Sequence, residues 1–580
     1  MKELIGIPAS PGIVIGKVLL FLDDNFVLPE YKIDPSDVHI ELERLNVAIE
    51  KSRKELEKLR RHESKGIEMD PNQLIDIHLM MLQDPEFLNQ IKKTIQTDLI
   101  NCESAVASCS ALTVSTLEQT GNDYLKERAA DINDISRRIL RNLLSVNRSI
   151  TYDLEQEVIL VGKNILPSDT ITMDKRMIKG LAMEMGAKTS HAAILARSFE
   201  IPAVFGINAI TKEVSDGDTI IIDGYSGKVI ANPDKHTIAI YENLIKQRLS
   251  HDIHLLSLAE LPSQTKDGKC LSLNANIEVI EEIDSVLAHG ADGIGLFRSE
   301  FLLMQPGMIE NEEAQFKAYK ALLETLGEKP VTIRTLDIGG DKAIPFLQDY
   351  HEENPILGWR SIRFCLSKTQ IFKRQLRALL RASVFGTMRI MFPMISGTKE
   401  LEEALAIVNE VKANLTSENI PFDDDIEIGI MIEVPSAAMT SDILAKKVDF
   451  FSIGTNDLVQ FTLAVDRGNE RVAYLYQTFH PGVLRLIRQT IDNAHQNNIP
   501  VSLCGEMGGD PLAAVVLLGL GLDSYSMSSM MIPQIKQIIR STSVYEAQQL
   551  VGTIMEYDTP EKIEEYVRKW MNERFDFFSI

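Results

Sequence analysis

Hydrophobic and polar positions divide the chain into regions of different period. Residues 1–22 run Ile-Gly-Ile-Pro-Ala-Ser-Pro-Gly-Ile-Val-Ile-Gly-Lys-Val-Leu-Leu after four leading residues, a pattern of short strands around a turn at Pro11-Gly12. From about Pro35 to Val146 the apolar period lengthens to that of helices. Residues 41–61 are amphipathic and rich in Glu/Lys pairs, 74–82 predict a second helix closed by Asp84-Pro85, and 124–132 belong to another. Strand signals return at Val158 with Val-Ile-Leu-Val, continue at 178–183 and in Ile201-Pro-Ala-Val-Phe-Gly, and end in a hairpin-like close over 219–231. The first β segment is expected to join this later set. Residues 1–34 and 148–232 then form one α/β domain, with residues 35–147 as an all-helical insertion. Residues 233–268 read as a connecting helix and a polar linker. Over 269–580 strands and helices alternate, with candidate strands at 271–277, 292–298, 331–337, 388–394, 427–433, 450–455, 500–505 and 524–528. Eight strands separated by helical patterns predict a (β/α)8 TIM-type barrel, and the whole chain a multidomain α/β protein.

Composition narrows the partners. The 580 residues carry 60 Lys+Arg against 83 Asp+Glu, a net charge of −23 spread along the chain. That balance argues against nucleic acid and anionic membranes, and for a basic protein partner. Five widely spaced cysteines without a Cys-x-x-Cys form a reduced, intracellular set. The start lacks a basic n-region, and no uncharged apolar run reaches spanning length, so a cytoplasmic location without membrane insertion is expected.

Candidate chemistry lies in two places. In Gly186-Ala-Lys-Thr-Ser-His191, followed by a helix-forming run, Thr189 and Ser190 are N-cap residues, so His191 is predicted at a helix N-terminus. Free N–H groups there favour a neutral imidazole and an anion placed on it, such as a phosphoryl group. The second place is the barrel, whose active sites sit at strand C-termini. Polar groups fall there repeatedly: Arg298-Ser-Glu300, Arg334 and Asp337 running into Gly-Gly-Asp-Lys342, Glu433, Asn456-Asp457 and Cys504-Gly-Glu506. Arg298, Arg334, Arg360 and Arg467 offer planar forks for phosphate and carboxylate, and Lys342 adds a point charge. Glu433 and Asp457 supply hard oxygens with room for water, as Mg²⁺ requires. A small phosphorylated carboxylate fits the set. Cys504 reads either as an inert filler or as a proton donor.

These residues stand in motifs that resemble Enzyme I of the bacterial sugar phosphotransferase system, the phosphoenolpyruvate–protein phosphotransferases. The marks are Gly-Ile-Pro-Ala-Ser-Pro-Gly-Ile near the start, Thr-Ser-His-Ala-Ala-Ile-Leu-Ala-Arg-Ser at His191, Gly-Ile-Gly-Leu-Phe-Arg-Ser-Glu-Phe at 293–301 and Arg-Thr-Leu-Asp-Ile-Gly-Gly-Asp-Lys at 334–342. Met-Ile-Glu-Val-Pro at 431–435, Gly-Thr-Asn-Asp-Leu at 454–458 and Leu-Cys-Gly-Glu at 503–506 complete them. The resemblance implies that His191 takes the phosphoryl group of phosphoenolpyruvate and passes it to a histidine of the carrier HPr. It implies Mg²⁺ at Glu433 and Asp457, substrate held by Arg298, Arg334, Arg360, Arg467 and Asn456, and Cys504 as the acid that turns the enolate into pyruvate. It also implies a swivelling phosphohistidine domain, a helical insertion that docks HPr, and a barrel that forms a homodimer. Lys188 stands where many family members have arginine, and Ala192 and Ala193 where hydroxyl residues are frequent, which removes possible donors to the phosphate. A pyruvate,phosphate dikinase or phosphoenolpyruvate synthase relative would need a nucleotide-binding domain ahead of the histidine domain, which here begins at Met1. A non-catalytic, carrier-binding relative would be expected to lack some barrel ligands, and none is missing.

Overall fold

A computed structural model describes residues 1–21, 29–60, 78–82, 84–119, 123–144, 156–163, 165, 177–186, 193, 196, 201–305, 307–339, 352, 354–467, 469 and 471–575. The chain divides into two compact units, Met1–Ser250 and His251–Ile580, and the division falls inside the helix Lys235–Ser257.

In the first unit, eight strands form one sheet: β1 (Lys2–Ile5), β2 (Ile7–Ser10), β3 (Ile13–Phe21), β4 (Val158–Gly162), β5 (Ile178–Met183), β6 (Ala203–Phe205), β7 (Thr219–Asp223) and β8 (Lys228–Ala231). Their order is β1-β8-β7-β3-β4-β5-β6-β2. Only Gly6 separates β1 from β2, so the two ends of this order are joined by one residue and the sheet must curl upon itself. Glycine is required there: its N–H donates to Gly227 O at 2.8 Å, and a Cβ would stand 2.5 Å from Phe205 O. The expected junction of the first β segment with the later strands is therefore real, with β3 parallel to β4 and antiparallel to β7. The hairpin expected over 219–231 is the antiparallel pair β7–β8.

Between β3 and β4 lie the helices Val38–Arg60, Pro85–Asp98, Cys102–Gln119 and Asp123–Leu144. Leu45, Ala48 and Leu56, Ile91 and Ile95, and Ile135 and Ile139 recur at helical spacing and pack into one core. Of the helix expected over 74–82, residues 78–81 are helical and 74–77 lie outside the described residues. Two helix starts are tied by a charge cluster. Glu41 accepts the Cys102 N–H at 2.8 Å, and Arg44 bridges Glu41 at 2.7 Å and Glu103 at 2.5 Å.

The second unit is a closed barrel of eight parallel strands: β9 (Ser272–Ile277), β10 (Ile294–Arg298), β11 (Val331–Arg334), β12 (Met388–Phe392), β13 (Glu427–Ile432), β14 (Phe450–Ile453), β15 (Val501–Leu503) and β16 (Ser524–Met527). β16 pairs back onto β9. Every strand lies within a range expected from the sequence. Alternation sorts the side chains. Leu273, Ala275, Ile277, Phe297, Ile333, Ile390, Ile430, Phe451, Leu503 and Tyr525 face the helices in the main core. The alternate positions turn inward and are of two kinds. Leu296, Met391, Met431, Phe450 and Cys504 form a separate apolar cluster, while Asn274, Asn276, Ser524 and Ser526 make a polar side. Each fully buried Phe or Ile contributes about 1.5–3 kcal/mol, so the shell of helices rather than the narrow interior supplies most of the stability. Among the described residues no helix is long and apolar enough to cross a membrane.

Candidate active site at the barrel mouth

The strand ends bring together most of the expected barrel residues. Arg298 closes β10 and pairs with Glu278, which follows β9, at 2.5 Å. Arg334 closes β11; its Nη2 donates to Glu300 at 2.6 Å and Asp337 at 3.0 Å. Arg360 Nη2 lies 3.3 Å from Asp337 and 3.2 Å from Asp457. Asp337 also takes a very short hydrogen bond from the Ser361 hydroxyl. Burial opposes the charged form of both Arg334 and Arg360, but the carboxylates around them, Asp337 first, raise their pKa above the ordinary arginine value.

Glu433 directly follows β13 and is 2% exposed. Its Oε1 accepts the Met394 N–H at 2.6 Å, and no donor among the described residues reaches its Oε2. Burial raises its pKa, Asp457 and Asp337 raise it further, and Arg334 and Arg360 oppose them. Met394 (φ 57°) and Ser361 (φ 54°) are both left-handed, a conformation that costs a non-glycine residue about 1 kcal/mol or more. One presents the N–H that fixes Glu433; the other turns the chain directly after Arg360.

Asp457 lies in the first turn of the helix Thr455–Leu463. Beside it, Asn456 accepts the Glu506 N–H at 2.9 Å through its side chain and the Tyr476 hydroxyl at 3.2 Å through its carbonyl. Cys504, 4% exposed, sits at the end of the inward apolar cluster with its Sγ 3.8 Å from Ile453 O. Burial pushes its thiol pKa up, against the pull of Ser452 and Arg334, so the sulfur holds its proton at neutral pH.

Arg467 is not drawn into this network. It lies on the exposed loop after the left-handed Ala464, and its backbone N–H donates to Gln460 at 3.2 Å. Its link to the site runs through the half-buried Tyr476, whose phenol it pulls toward ionisation against the larger effect of burial. His191, Lys342, Lys188 and Ala192 lie outside the described residues. Gly186 has φ 123°, a conformation that favours glycine. Ala193 is fully buried in the same α/β core cluster as Met183 and Phe205.

The residues fit a divalent cation. Three arginines (298, 334, 360) meet five carboxylates (Glu278, Glu300, Asp337, Glu433, Asp457), so the fully ionised set of these described groups carries two negative charges in excess. The Oε2 of Glu433 is available, and Gly454 leaves space beside it: a Cβ there would lie 3.1 Å from Glu433 Cβ. The site also fits an anion. Arg334 Nε and Arg360 Nε are buried with no hydrogen-bond partner among the described residues.

Sequence reading assigned no role to Glu278, Glu300 and Asp337, which hold the arginines, nor to Tyr476. Glu300 and Asp337 stood in the strand-end motifs, where their spacing from Arg298 and Arg334 was the available signal, whereas Glu278 stood in none of them. Behind β11, Gln375 accepts the Leu336 N–H at 3.0 Å and donates to Ser299 at 3.0 Å, and no sequence motif marked it.

A closed parallel barrel with arginines and carboxylates gathered at its strand ends defines the class, and family models agree. Residues 254–544 match the PEP-utilising enzyme PEP-binding domain, 5–128 the PEP-utilising enzyme N-terminal domain and 154–227 the PEP-utilising enzyme mobile domain. A phosphoenolpyruvate-protein phosphotransferase of Priestia megaterium is 43% identical over 98% of this chain and 99% of its own length. One from Bacillus subtilis is 43% identical over 98% of this chain and 100% of its own. The chain belongs to the phosphoenolpyruvate-protein phosphotransferase family and is an enzyme of that class. An NMR structure of an Enzyme I protein, 38% identical, overlaps 42% of this chain and 99% of its own with a TM-score of 0.38.

Proposed function

We propose that this enzyme moves the phosphoryl group of phosphoenolpyruvate to its own His191 and then to a histidine of HPr, the first step of sugar uptake by the phosphotransferase system. The observation that carries this reading is the buried array of Arg334, Arg360, Glu433, Asp457 and Cys504 at one barrel mouth. Arg298, Arg334 and Arg360 hold the phosphate and carboxylate of the substrate, with Asn456, Lys342 and Arg467 completing the enclosure. Mg²⁺ on Glu433 and Asp457 supplies the positive charge that the five carboxylates leave wanting. A ring nitrogen of His191 attacks phosphorus; the N–P bond forms as the P–O bond to the enol oxygen breaks, and that bond's electrons stay on oxygen. The Cys504 thiol then gives its proton to C3 of the enolate. The product is pyruvate, and the thiolate regains a proton from water. Because one histidine serves two separated partners and in-line transfer requires near contact, the phosphohistidine domain swivels between the barrel and HPr docked on the helical insertion. A cytoplasmic location and a homodimer through the barrel belong to the same reading. The test is incubation with phosphoenolpyruvate labelled on phosphorus, Mg²⁺ and HPr. Acid-labile label on both proteins, with one pyruvate per phosphoryl group, is expected; no transfer to HPr would overturn the proposal.

A further inference from the structure

Asn276 is the penultimate residue of β9, on the polar side of the barrel interior, and β15 lies two strands away across β16. Its side chain nevertheless reaches β15: Nδ2 donates to Cys504 O at 2.9 Å and, more distantly, to Ser526 O at 3.4 Å. The amide is held in that orientation because its Oδ1 accepts the Ser526 hydroxyl at 2.6 Å. The opposite flip would set an NH2 against that hydroxyl and an oxygen against two carbonyls. Space for the pair comes from Gly295 on β10, where a Cβ would collide with the Ser526 hydroxyl.

Cys504 needs such a support. It stands one residue past the last ladder pair of β15 with β16, Leu503 with Tyr525. Its N–H is still held by Ile453 O at 3.0 Å on the β14 side, while on the β16 side the side chain of Asn276 takes its carbonyl. With both peptide groups pinned, the Cα–Cβ direction is set and the sulfur lies among Leu296, Met391, Met431 and Phe450. No other hydrogen bond to Cys504 O is present among the described residues.

We infer that Asn276, oriented by Ser526, is a positioning residue for Cys504 that governs protonation of the enolate and not the transfer of phosphorus. This rests on Cys504 being the acid. The role is specific because the two halves of the reaction use different groups. Formation of the N–P bond depends on His191, the arginines and the cation, none of which Asn276 touches. Protonation moves the Cys504 proton to C3, forms the C–H bond from the enolate π electrons and leaves a thiolate. It requires the sulfur over one carbon atom.

The experiment separates these steps in the full-length enzyme. Phosphoenzyme formation is followed by acid-labile label from labelled phosphoenolpyruvate. Protonation is followed in the same mixtures as uptake of solvent deuterium into the pyruvate methyl group and as any lag before pyruvate becomes a substrate for lactate dehydrogenase. Asn276→Asp keeps the size and the acceptor for Ser526 but sets an oxygen against Cys504 O. It is expected to slow protonation about tenfold while phosphoenzyme forms within twofold of the wild-type rate. Ser526→Ala, which frees the amide to turn, should slow protonation by a smaller factor, again without slowing phosphoenzyme formation. Equal loss in both steps would overturn the inference, since it would mark a general structural role, and so would unchanged protonation in Asn276→Asp. Cys504→Ala distinguishes the layers. If it protonates the enolate at the wild-type rate, the acid is elsewhere and the positioning role falls with it. If it is slow while Asn276→Asp is normal, only the inference about Asn276 falls.

Discussion

Glu433→Gln sets the two demands on the barrel mouth against each other. In the metal-free protein Glu433 is buried, faces Asp457 and Asp337, and is one of the five carboxylates that outnumber the three arginines. Glutamine keeps an oxygen for the Met394 N–H at 2.6 Å and changes the volume little, so the chief change is the loss of a carboxyl whose ionised form burial, Asp457 and Asp337 oppose. Removing a buried carboxyl whose pKa its surroundings raise stabilises the folded state near neutral pH by about 1–2.5 kcal/mol. For a unit as large as this barrel each kcal/mol moves the melting temperature by about 2–4 °C. In EDTA the barrel transition of Glu433→Gln should therefore lie roughly 2–10 °C above that of the wild type. Added Mg²⁺ should reverse the order. At a hundred times its dissociation constant a ligand adds about 2.7 kcal/mol to the wild type, whereas the variant has lost half of the carboxylate pair and should respond weakly. Scanning calorimetry with EDTA and then with Mg²⁺ reads both effects. A metal-free variant that melts below the wild type, or an equal Mg²⁺ shift in the two proteins, would refute the argument that the site is destabilised in order to hold a cation.

Gly454→Ala places a methyl group 3.1 Å from Glu433 Cβ and 3.0 Å from Met431, closer than ordinary van der Waals contact, and should raise the Mg²⁺ concentration needed for half-maximal activity about tenfold, measured by titration in the coupled assay. Arg334→Lys keeps the charge but cannot span Glu300, Asp337 and a substrate anion together; kcat/KM for phosphoenolpyruvate should fall about a hundredfold or more, and a loss under fivefold would remove Arg334 from the substrate contacts. The helical insertion should be acid-sensitive through Glu41. Burial pushes that carboxyl up, but the Cys102 N–H and Arg44 outweigh it, and its pKa is lowered from the ordinary 4.5. Its stabilising effect is thus complete above that value and lost as pH falls through the lower folded value. Hydrogen exchange in the helices Val38–Arg60 and Cys102–Gln119 should accelerate below pH 4.5, and Glu41→Gln should flatten that dependence.

The barrel was legible because its strands carry strong period-two runs and end in charged residues, so both the element positions and the mouth could be read from 271–528. The joining of residues 1–21 to a sheet completed more than a hundred residues later was legible for a related reason: short apolar strands cannot bury both faces alone. What escaped was the layer behind the obvious chemistry. Glu300 and Asp337 looked like strand-end polarity, and Glu278 carried no mark at all, because their meaning depends on which arginine they meet across the barrel mouth, and that is a tertiary fact. Asn276 left a weak trace, the Asn-Ala-Asn alternation in a strand otherwise apolar, but nothing in the sequence says that its amide crosses β16 to reach Cys504. Arg467 shows the converse. It was legible as a phosphate-type arginine, yet its loop holds it at the surface, tied to the mouth through Tyr476.

The proposed passage of phosphorus through His191 is tested by mapping the covalent intermediate. The protein is mixed with phosphoenolpyruvate and Mg²⁺, digested at alkaline pH and sequenced by mass spectrometry, beside a His191→Ala variant whose phosphoenolpyruvate binding is followed by calorimetry. One acid-labile phosphoryl group per chain, located on His191, is expected, with a variant that binds phosphoenolpyruvate with Mg²⁺ but carries no label. Phosphorylation of another residue, or label that persists in His191→Ala, would contradict it.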